Sequence, residues 1–260
     1  MDLGLSGKTA IITGGSKGIG RAAALRFVQE GASVLICARG QTALEETAGA
    51  ARKAAQGARV VTVPADLTQP DDIRRVVAEG VRKLGRVDIL VNNAGSARPG
   101  EFLKLPDEAW QDDFQLKFFG YVRMAREVMP HMARERSGVI VNVIGTGGLR
   151  PSAGYMVGGA ANAALNHFTK ALADEGSKHG VRVVGINPGP ILTERLQLFT
   201  ERSAGGRNLD DVYARMTPLK RPGQPEEVGD LIAFVSSPRA AFIHGANITI
   251  DGGANPGLIG

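Results

Sequence analysis

Two hydrophobic periods alternate along the chain. Short, almost wholly apolar runs occur at Lys8 to Thr13, Ser33 to Ala38, Arg59 to Val63, Val87 to Asn92, Val139 to Ile144, Val181 to Asn187 and Asn247 to Ile250. Each has the length and the β-branched content of a strand covered on both faces. Between them lie segments with helical spacing: Gly18 to Glu30, Gln41 to Gln56, Pro70 to Leu84, Pro106 to Arg136, Gly154 to Lys178 and Pro225 to Ser236. In the first of these, Ile19, Ala23, Leu25, Phe27 and Val28 supply the apolar face. Ile191 to Thr217 is the least regular stretch. Repeated strand–helix–strand units join parallel strands by right-handed crossovers. The pattern therefore predicts an α/β fold, a doubly wound parallel sheet of about seven strands. No Pro/Ser linker or composition break divides the 260 residues, so one domain is expected.

The first strand runs into Thr13-Gly14-Gly15-Ser16-Lys17-Gly18-Ile19-Gly20, and a helix follows. A glycine-rich turn in that context is the Rossmann-type dinucleotide signal. The glycines allow a tight turn and let backbone N–H groups approach a pyrophosphate at the helix N-terminus. The end of the second strand bears on which nucleotide. An NAD site usually carries an acid there for the ribose hydroxyls, whereas this chain has Ala38-Arg39. Arg39 can give a 2′-phosphate two charge-assisted hydrogen bonds, and Lys17 is placed to reach the same group. The expected cofactor is NADP(H).

Composition narrows the classes. Net charge is +5, but the basic residues are scattered and aromatics are 5%, so a nucleic-acid surface is not expected. The single cysteine, Cys37, lies in an apolar run. It forms no internal disulfide and belongs to no cysteine-rich metal site; no metal is expected. No apolar stretch approaches the roughly 20 residues of a membrane span and no signal pattern precedes Lys8, which leaves a cytoplasmic location as the expectation.

With these residues in place, the sequence resembles the short-chain dehydrogenase/reductase family over nearly its whole length. Thr13 to Gly20 is similar to the family's TGxxxGxG turn. Asp66-Leu67 resembles the position touching adenine, and Asn92-Asn93-Ala94-Gly95 the NNAG segment after the fourth strand. Asn187-Pro188-Gly189 with Ile191 and Thr193 resembles the loop flanking nicotinamide, and Asp251-Gly252-Gly253 the C-terminal signature. The resemblance implies cofactor-binding roles for Gly14, Ser16, Lys17, Gly18, Ile19, Gly20, Arg39, Asp66, Leu67, Asn93, Ala94, Gly95, Pro188, Gly189, Ile191 and Thr193.

The same resemblance implies a catalytic Asn, Ser, Tyr and Lys, the last two in a Y-x-x-x-K motif. Trp110 and Gly120 bracket the first position, here Lys117; Asn142 and Gly148 bracket the second, here Gly145; Ala163 to Lys170 sets a register with Gly158 and Asn162 at the last two. Two readings follow. In one, the chemistry has moved to Tyr155, Lys117, Asn162 and Thr146. Tyr155 lies three residues before Gly158 and seven before Asn162, which would place all three on one helix face. Gly158 and Gly159 would leave a hollow. The chain would then be an NADP(H)-dependent oxidoreductase acting on a carbonyl/alcohol or related small molecule. In the other, the chain binds NADP(H) without turnover, as a sensor or structural protein.

Ile191 to Thr217 falls where relatives carry a substrate lid. Leu192, Leu196, Leu198 and Phe199 offer apolar cover, and Arg195, Arg202 and Arg207 offer positive charge. The two longest helical segments resemble those forming four-helix interfaces in the family, so a homo-oligomer, dimer or tetramer, is expected.

Overall fold

A computed structural model describes residues 1–95, 98–203 and 208–255, the side chains of 199, 202 and 203 excepted. Phe199, Arg202 and Arg207 as lid contacts therefore lie outside the described residues. Seven strands form one wholly parallel sheet: β1 (Thr9–Thr13), β2 (Ser33–Ala38), β3 (Val60–Pro64), β4 (Ile89–Asn92), β5 (Gly138–Val143), β6 (Val181–Pro188) and β7 (Asn247–Ile250). Their order is β3-β2-β1-β4-β5-β6-β7. The helices are α1 (Gly18–Gln29), α2 (Gln41–Ala54), α3 (Pro70–Leu84), α4 (Asp107–Phe114), α5 (Gly120–Glu135), α6 (Met156–Ser177), α7 (Glu194–Ser203), α8 (Leu209–Ala214) and α9 (Pro225–Ser236).

The strands are apolar throughout because they feed two cores. Ala10 and Ile12 of β1, Val34 and Ile36 of β2, and Val184 and Ile186 of β6 point to one face. There they meet Ala23 and Phe27 of α1, Leu44 and Ala48 of α2, and Val228 and Ile232 of α9. The intervening Ile11, Leu35, Cys37, Ile140 and Val183 point to the other face, against Val76 and Val77 of α3, Met124 and Val128 of α5, and Ala173 of α6. The period of two in each strand thus builds a three-layer domain. Among the described residues no helix is long and apolar enough to cross a membrane.

Three expectations need correction. The Pro106 to Arg136 segment is not one regular helix: α4 and α5 are joined by a π-helical turn, Gln115–Phe119. α6 begins at Met156, after a short 3-10 turn at Ala153–Tyr155, so Tyr155 precedes the helix. The stretch read as irregular contains α7 and α8; each is short, so its helical period was carried by too few residues to stand out.

Strand order reverses beside β1, which pairs with β2 on one side and β4 on the other. In open α/β sheets the ligand crevice lies at the carboxyl ends of the strands at such a point. One hydroxyl holds it together. Thr13 Oγ1 accepts from the backbone N–H of Asn93 at 2.9 Å and of Ala94 at 3.0 Å, and donates to Val91 O at 3.3 Å. The Asn93 amide returns the contact, donating to Thr13 O at 3.0 Å and Gly14 O at 3.2 Å. Thr13 is fully buried, so losing its hydroxyl strands two backbone donors. Thr13→Val keeps the shape and should cost about 2–6 kcal/mol, at roughly 1–3 per orphaned donor. Urea unfolding measures it.

Candidate active site

One lip of the crevice is the glycine turn. Gly14 and Gly18 have φ of +64° and +51°, in the left-handed region that suits glycine. A Cβ on Gly14 would stand 2.9 Å from Ala94 Cα and from Asn93 Nδ2, so a side chain there would push the two lips apart. Ser16 is fixed through its carbonyl, which accepts from Thr47 Oγ1 at 2.9 Å. Lys17 precedes α1 in extended conformation and no side chain caps the helix. Among the described residues, the first-turn N–H groups around Gly18, Ile19 and Gly20 therefore have no capping side chain. Arg39, one residue past β2, is exposed. Asp66 serves a local turn, its carboxylate accepting from Thr68 N at 3.0 Å and Thr68 Oγ1 at 2.9 Å, and Leu67 is buried in the core. Cys37 is buried, which pushes its thiol up to about 12.

The other lip is Asn93-Ala94-Gly95 with the segment after β6. Gly189 N donates to Ile250 O at 3.0 Å, and a Cβ on Gly189 would meet Asp251 Cα at 2.8 Å, so Pro188-Gly189 packs backbone to backbone on the chain after β7. Ile191 bridges to Gly223. Thr193 Cγ2 lies 3.1 Å from where a Gly18 Cβ would stand. α7 starts at the next residue and spans both lips. Glu194 Oε2 pairs with Lys17 Nζ at 2.7 Å, and Arg195 Nη2 donates to Gly95 O at 2.5 Å. The lysine expected at a cofactor phosphate is here on a carboxylate.

The π turn places Lys117 at the carboxyl end of β5. Its Nζ donates to Ile144 O at 2.7 Å and Val143 O at 3.3 Å. Its stem packs on Gly95, where a Cβ would stand 2.6 Å from Lys117 Cδ. π turns of this kind recur at functional sites. Burial, with a smaller push from the Arg195 guanidinium, lowers the ammonium from 10.5 to about 7. Tyr121 lies beneath it, its O–H donating to Val143 O at 2.7 Å and its ring 5.6 Å from Nζ. Burial pushes that phenol up.

Beside Lys117 the chain turns through Gly145-Thr146-Gly147-Gly148 onto α6. Gly145 has φ of +131° and its N–H donates to Asn187 Oδ1 at 3.3 Å. Asn187 Nδ2 in turn donates to Asn166 Oδ1 on α6 at 3.0 Å. A Cβ on Gly148 would meet Ala163 N and Asn162 C at 2.6 Å, so turn and helix touch backbone to backbone. Gly158 is buried, and a Cβ on Gly159 would stand 3.0 Å from Gly147 O. At Gly159, then, the turn's main chain stands close to the helix.

Tyr155 and Asn162 do not share a helix face, since Tyr155 lies outside the helix. The glycine turn brings them together instead. An added Cβ on Gly147 would meet Tyr155 Cε1 at 2.8 Å and Asn162 Nδ2 at 3.3 Å. Asn162 is 3% exposed and its Oδ1 has no hydrogen-bond partner among the described residues. Tyr155 is half-buried; burial raises its phenol, Arg195 lowers it and Asp113 raises it. The Thr146 carbonyl accepts from Leu149 N at 2.9 Å and Arg150 N at 3.0 Å, closing the turn. Lys117, Tyr155 and Asn162 therefore line one end of the crevice, with Thr146 beside them. Two participants were not picked out as site residues from the sequence. Arg195 was noted only as lid charge, and Asp113 was not noted. Asp113 is one helical turn before Lys117, a spacing that could have flagged it.

Residues 8–203 match the short chain dehydrogenase family. The chain belongs to it. The 3-oxoacyl-(acyl-carrier-protein) reductase of Thermotoga maritima is 34% identical over 251 residues, covering 96% of this chain and 98% of that protein. Among solved structures, L-sorbose reductase from Gluconobacter frateurii, complexed with NADPH and L-sorbose, superposes with a TM-score of 0.94 at 34% identity over 99% of this chain and 100% of that one. A 7α-hydroxysteroid dehydrogenase complexed with NADH gives 0.90 at 29% identity, over 99% and 98%. The seven-strand parallel α/β fold is thus one that this chain shares with those structures.

Lys117 is a buried cation held by neutral carbonyls, which costs stability. Its folded-state value, about 7, lies below the unfolded 10.5. The unfolded chain binds the extra proton between these values, so this group's penalty is full below pH 7 and fades as pH rises toward 10.5. Lys117→Met should therefore stabilise the protein by about 1–3 kcal/mol at pH 6. The advantage should shrink steadily toward pH 10, as denaturant titrations of both proteins at each pH will show.

Proposed function

We propose that this short-chain dehydrogenase is an NADP(H)-dependent oxidoreductase that interconverts a small carbonyl compound and its alcohol, with Lys117 as the proton donor. The observation that carries the reading is the Lys117 ammonium, poised near pH 7 at the carboxyl end of β5. The fit of the cofactor rests on the uncapped first turn of α1, the cradle a Gly14 side chain would block, and the exposed Arg39 where an acid would serve NAD. Gly14, Ser16, Gly18, Ile19 and Gly20 would hold the pyrophosphate, Lys17 and Arg39 the 2′-phosphate, Asp66 and Leu67 the adenine. Asn93, Ala94, Gly95, Pro188, Gly189, Ile191 and Thr193 would line the nicotinamide end. The NADPH complex of L-sorbose reductase supports this choice.

When bound, NADPH supplies a hydride to the carbonyl carbon. Lys117 then delivers a proton from Nζ to the carbonyl oxygen and recovers one from water. An acid with a value near the working pH transfers protons most effectively. Tyr155, whose phenol is raised, is the poorer acid, and we assign it and Thr146 to holding the substrate oxygen. Asn162 Oδ1, buried and without a partner, is suited to accept from a substrate hydroxyl or a water. The site is a rebuilt one: Lys117, Gly145, Gly158 and Asn162 stand where the family resemblance implies Asn, Ser, Tyr and Lys. The segment 191–217 acts as the substrate lid. The aromatic group Phe114, Phe118, Phe119 and Phe168, linked at centroid distances of 5.3 to 6.2 Å across α4, the π turn that follows it and α6, supports a homo-oligomer built on these long helical segments.

Fluorescence titration should show NADPH binding more than tenfold tighter than NADH, with the gap closing in Arg39→Ala. A screen of ketones and aldehydes should find turnover whose kcat falls as pH rises through about 7, because the protonated lysine is the acid. Lys117→Met should lower kcat/KM at least a hundredfold while leaving NADPH affinity within twofold, and Tyr155→Phe should do less. Tight cofactor binding with no turnover across the panel would instead mark a sensor or structural protein.

A further inference from the structure

Among the described lid residues, Arg195 sends its side chain to the floor of the site. Its guanidinium and the Lys117 stem converge on Gly95, the first at the carbonyl and the second at Cα. Its charge is felt at Lys117, Tyr121 and Tyr155. The acids around it are engaged elsewhere. Glu194 is paired with Lys17 at 2.7 Å. Asp113 accepts from Arg98 N at 2.7 Å, and Asp112 pairs with Arg98 Nη2 at 2.7 Å. Among the described residues Arg195 forms no ion pair and its one hydrogen bond is to a neutral carbonyl, which uses one of five donors.

We infer that Arg195 anchors the carboxylate of an oxo-acid substrate whose carbonyl lies against Lys117 and Tyr155. The inference rests on the reductase reading and narrows it to a substrate class. A guanidinium prefers a carboxylate to a lone carbonyl, because it can give it two parallel charge-assisted hydrogen bonds. The crevice end carries two cations, and a substrate that brings its own negative charge offsets their mutual repulsion. A neutral ketone would leave that repulsion in place. A carboxylate within a few bonds of the carbonyl is required, since Arg195 and Lys117 meet at the same residue.

The test uses the full chain with NADPH and four substrates: 2-oxobutanoate, acetoacetate and the methyl ester of each. At least one acid should exceed its ester tenfold or more in kcat/KM. Arg195→Met should cut the acid's kcat/KM 10- to 100-fold, mostly through KM, and the ester's much less, so that the acid's advantage over its ester falls at least tenfold; Arg195→Lys should recover part of the loss. NADPH affinity, titrated separately, should stay within twofold in both variants. Equal use of acid and ester, or a tenfold loss of NADPH affinity in Arg195→Met, overturns the assignment; the latter would place Arg195 on the cofactor. If nothing is turned over, saturable acid binding to the NADPH-loaded protein is followed by thermal shift. Binding that Arg195→Met abolishes upholds the anion site while rejecting the reductase. Absence of such binding rejects the anion site.

Discussion

The crevice depends on a close approach of backbone to backbone where the sheet order reverses. β1 and β4 diverge there, and their following loops would separate if each carried ordinary side chains. Thr13 and Asn93 tie them by four hydrogen bonds between 2.9 and 3.2 Å, and Gly14 permits the contact by lacking a Cβ. Gly20 has the same constraint, since a Cβ there would overlap the Gly14 carbonyl and the Asn93 amide. The turn is therefore shaped from its interior side as much as by any ligand. Its glycines would be needed to bring β1 and β4 together even in a protein that bound nothing.

A second close approach sets the chemistry. The Gly145 to Gly148 turn lies directly on α6, and the buried chain Asn92–Asn142–Thr169, at 3.0 and 2.9 Å, ties β4 and β5 to the same helix. With the β5 end so fixed, the carbonyls of Val143 and Ile144 face the protein interior, where Tyr121 and Lys117 meet the first and Lys117 the second. Neutral acceptors hydrogen-bond an ammonium without cancelling its charge. Desolvation therefore wins over hydrogen bonding, and the lysine titrates near neutrality rather than above 10.

Much of this was legible in the sequence, and the reasons are specific. Strands such as Ser33 to Ala38 are apolar at every position because both faces are covered, so their type and order were plain. Gly14 to Gly20 announced the crevice because only glycine satisfies its φ values and contacts together. Lys117, Tyr155 and Asn162 were found by position along the chain. What linked them was not. Tyr155 and Asn162 meet through Gly147, a residue from a different loop, whereas helical spacing suggested a face that Tyr155 never joins. The π turn at Gln115–Phe119 adds a residue to the helical ladder without a proline or glycine to mark it. Pairings such as Lys17 with Glu194, 177 residues apart, have no local signature at all.

That last pair has a consequence for how the two ends of the crevice communicate. Glu194 and Arg195 are adjacent, yet one grips the glycine turn and the other Gly95. The Lys17–Glu194 pair joins side chains that are 59% and 65% exposed, so solvent screens it and it is worth little. A phosphate offered to Lys17 would compete through charge-assisted hydrogen bonds, each contributing on the order of 1.5–3 kcal/mol. The carboxylate is thus the partner that gives way, and the Arg195 contact on the opposite lip need not. Occupation of the turn would release Glu194 while the Arg195 contact with Gly95 O stays available, so the two neighbouring residues that open α7 answer to different ends of the crevice.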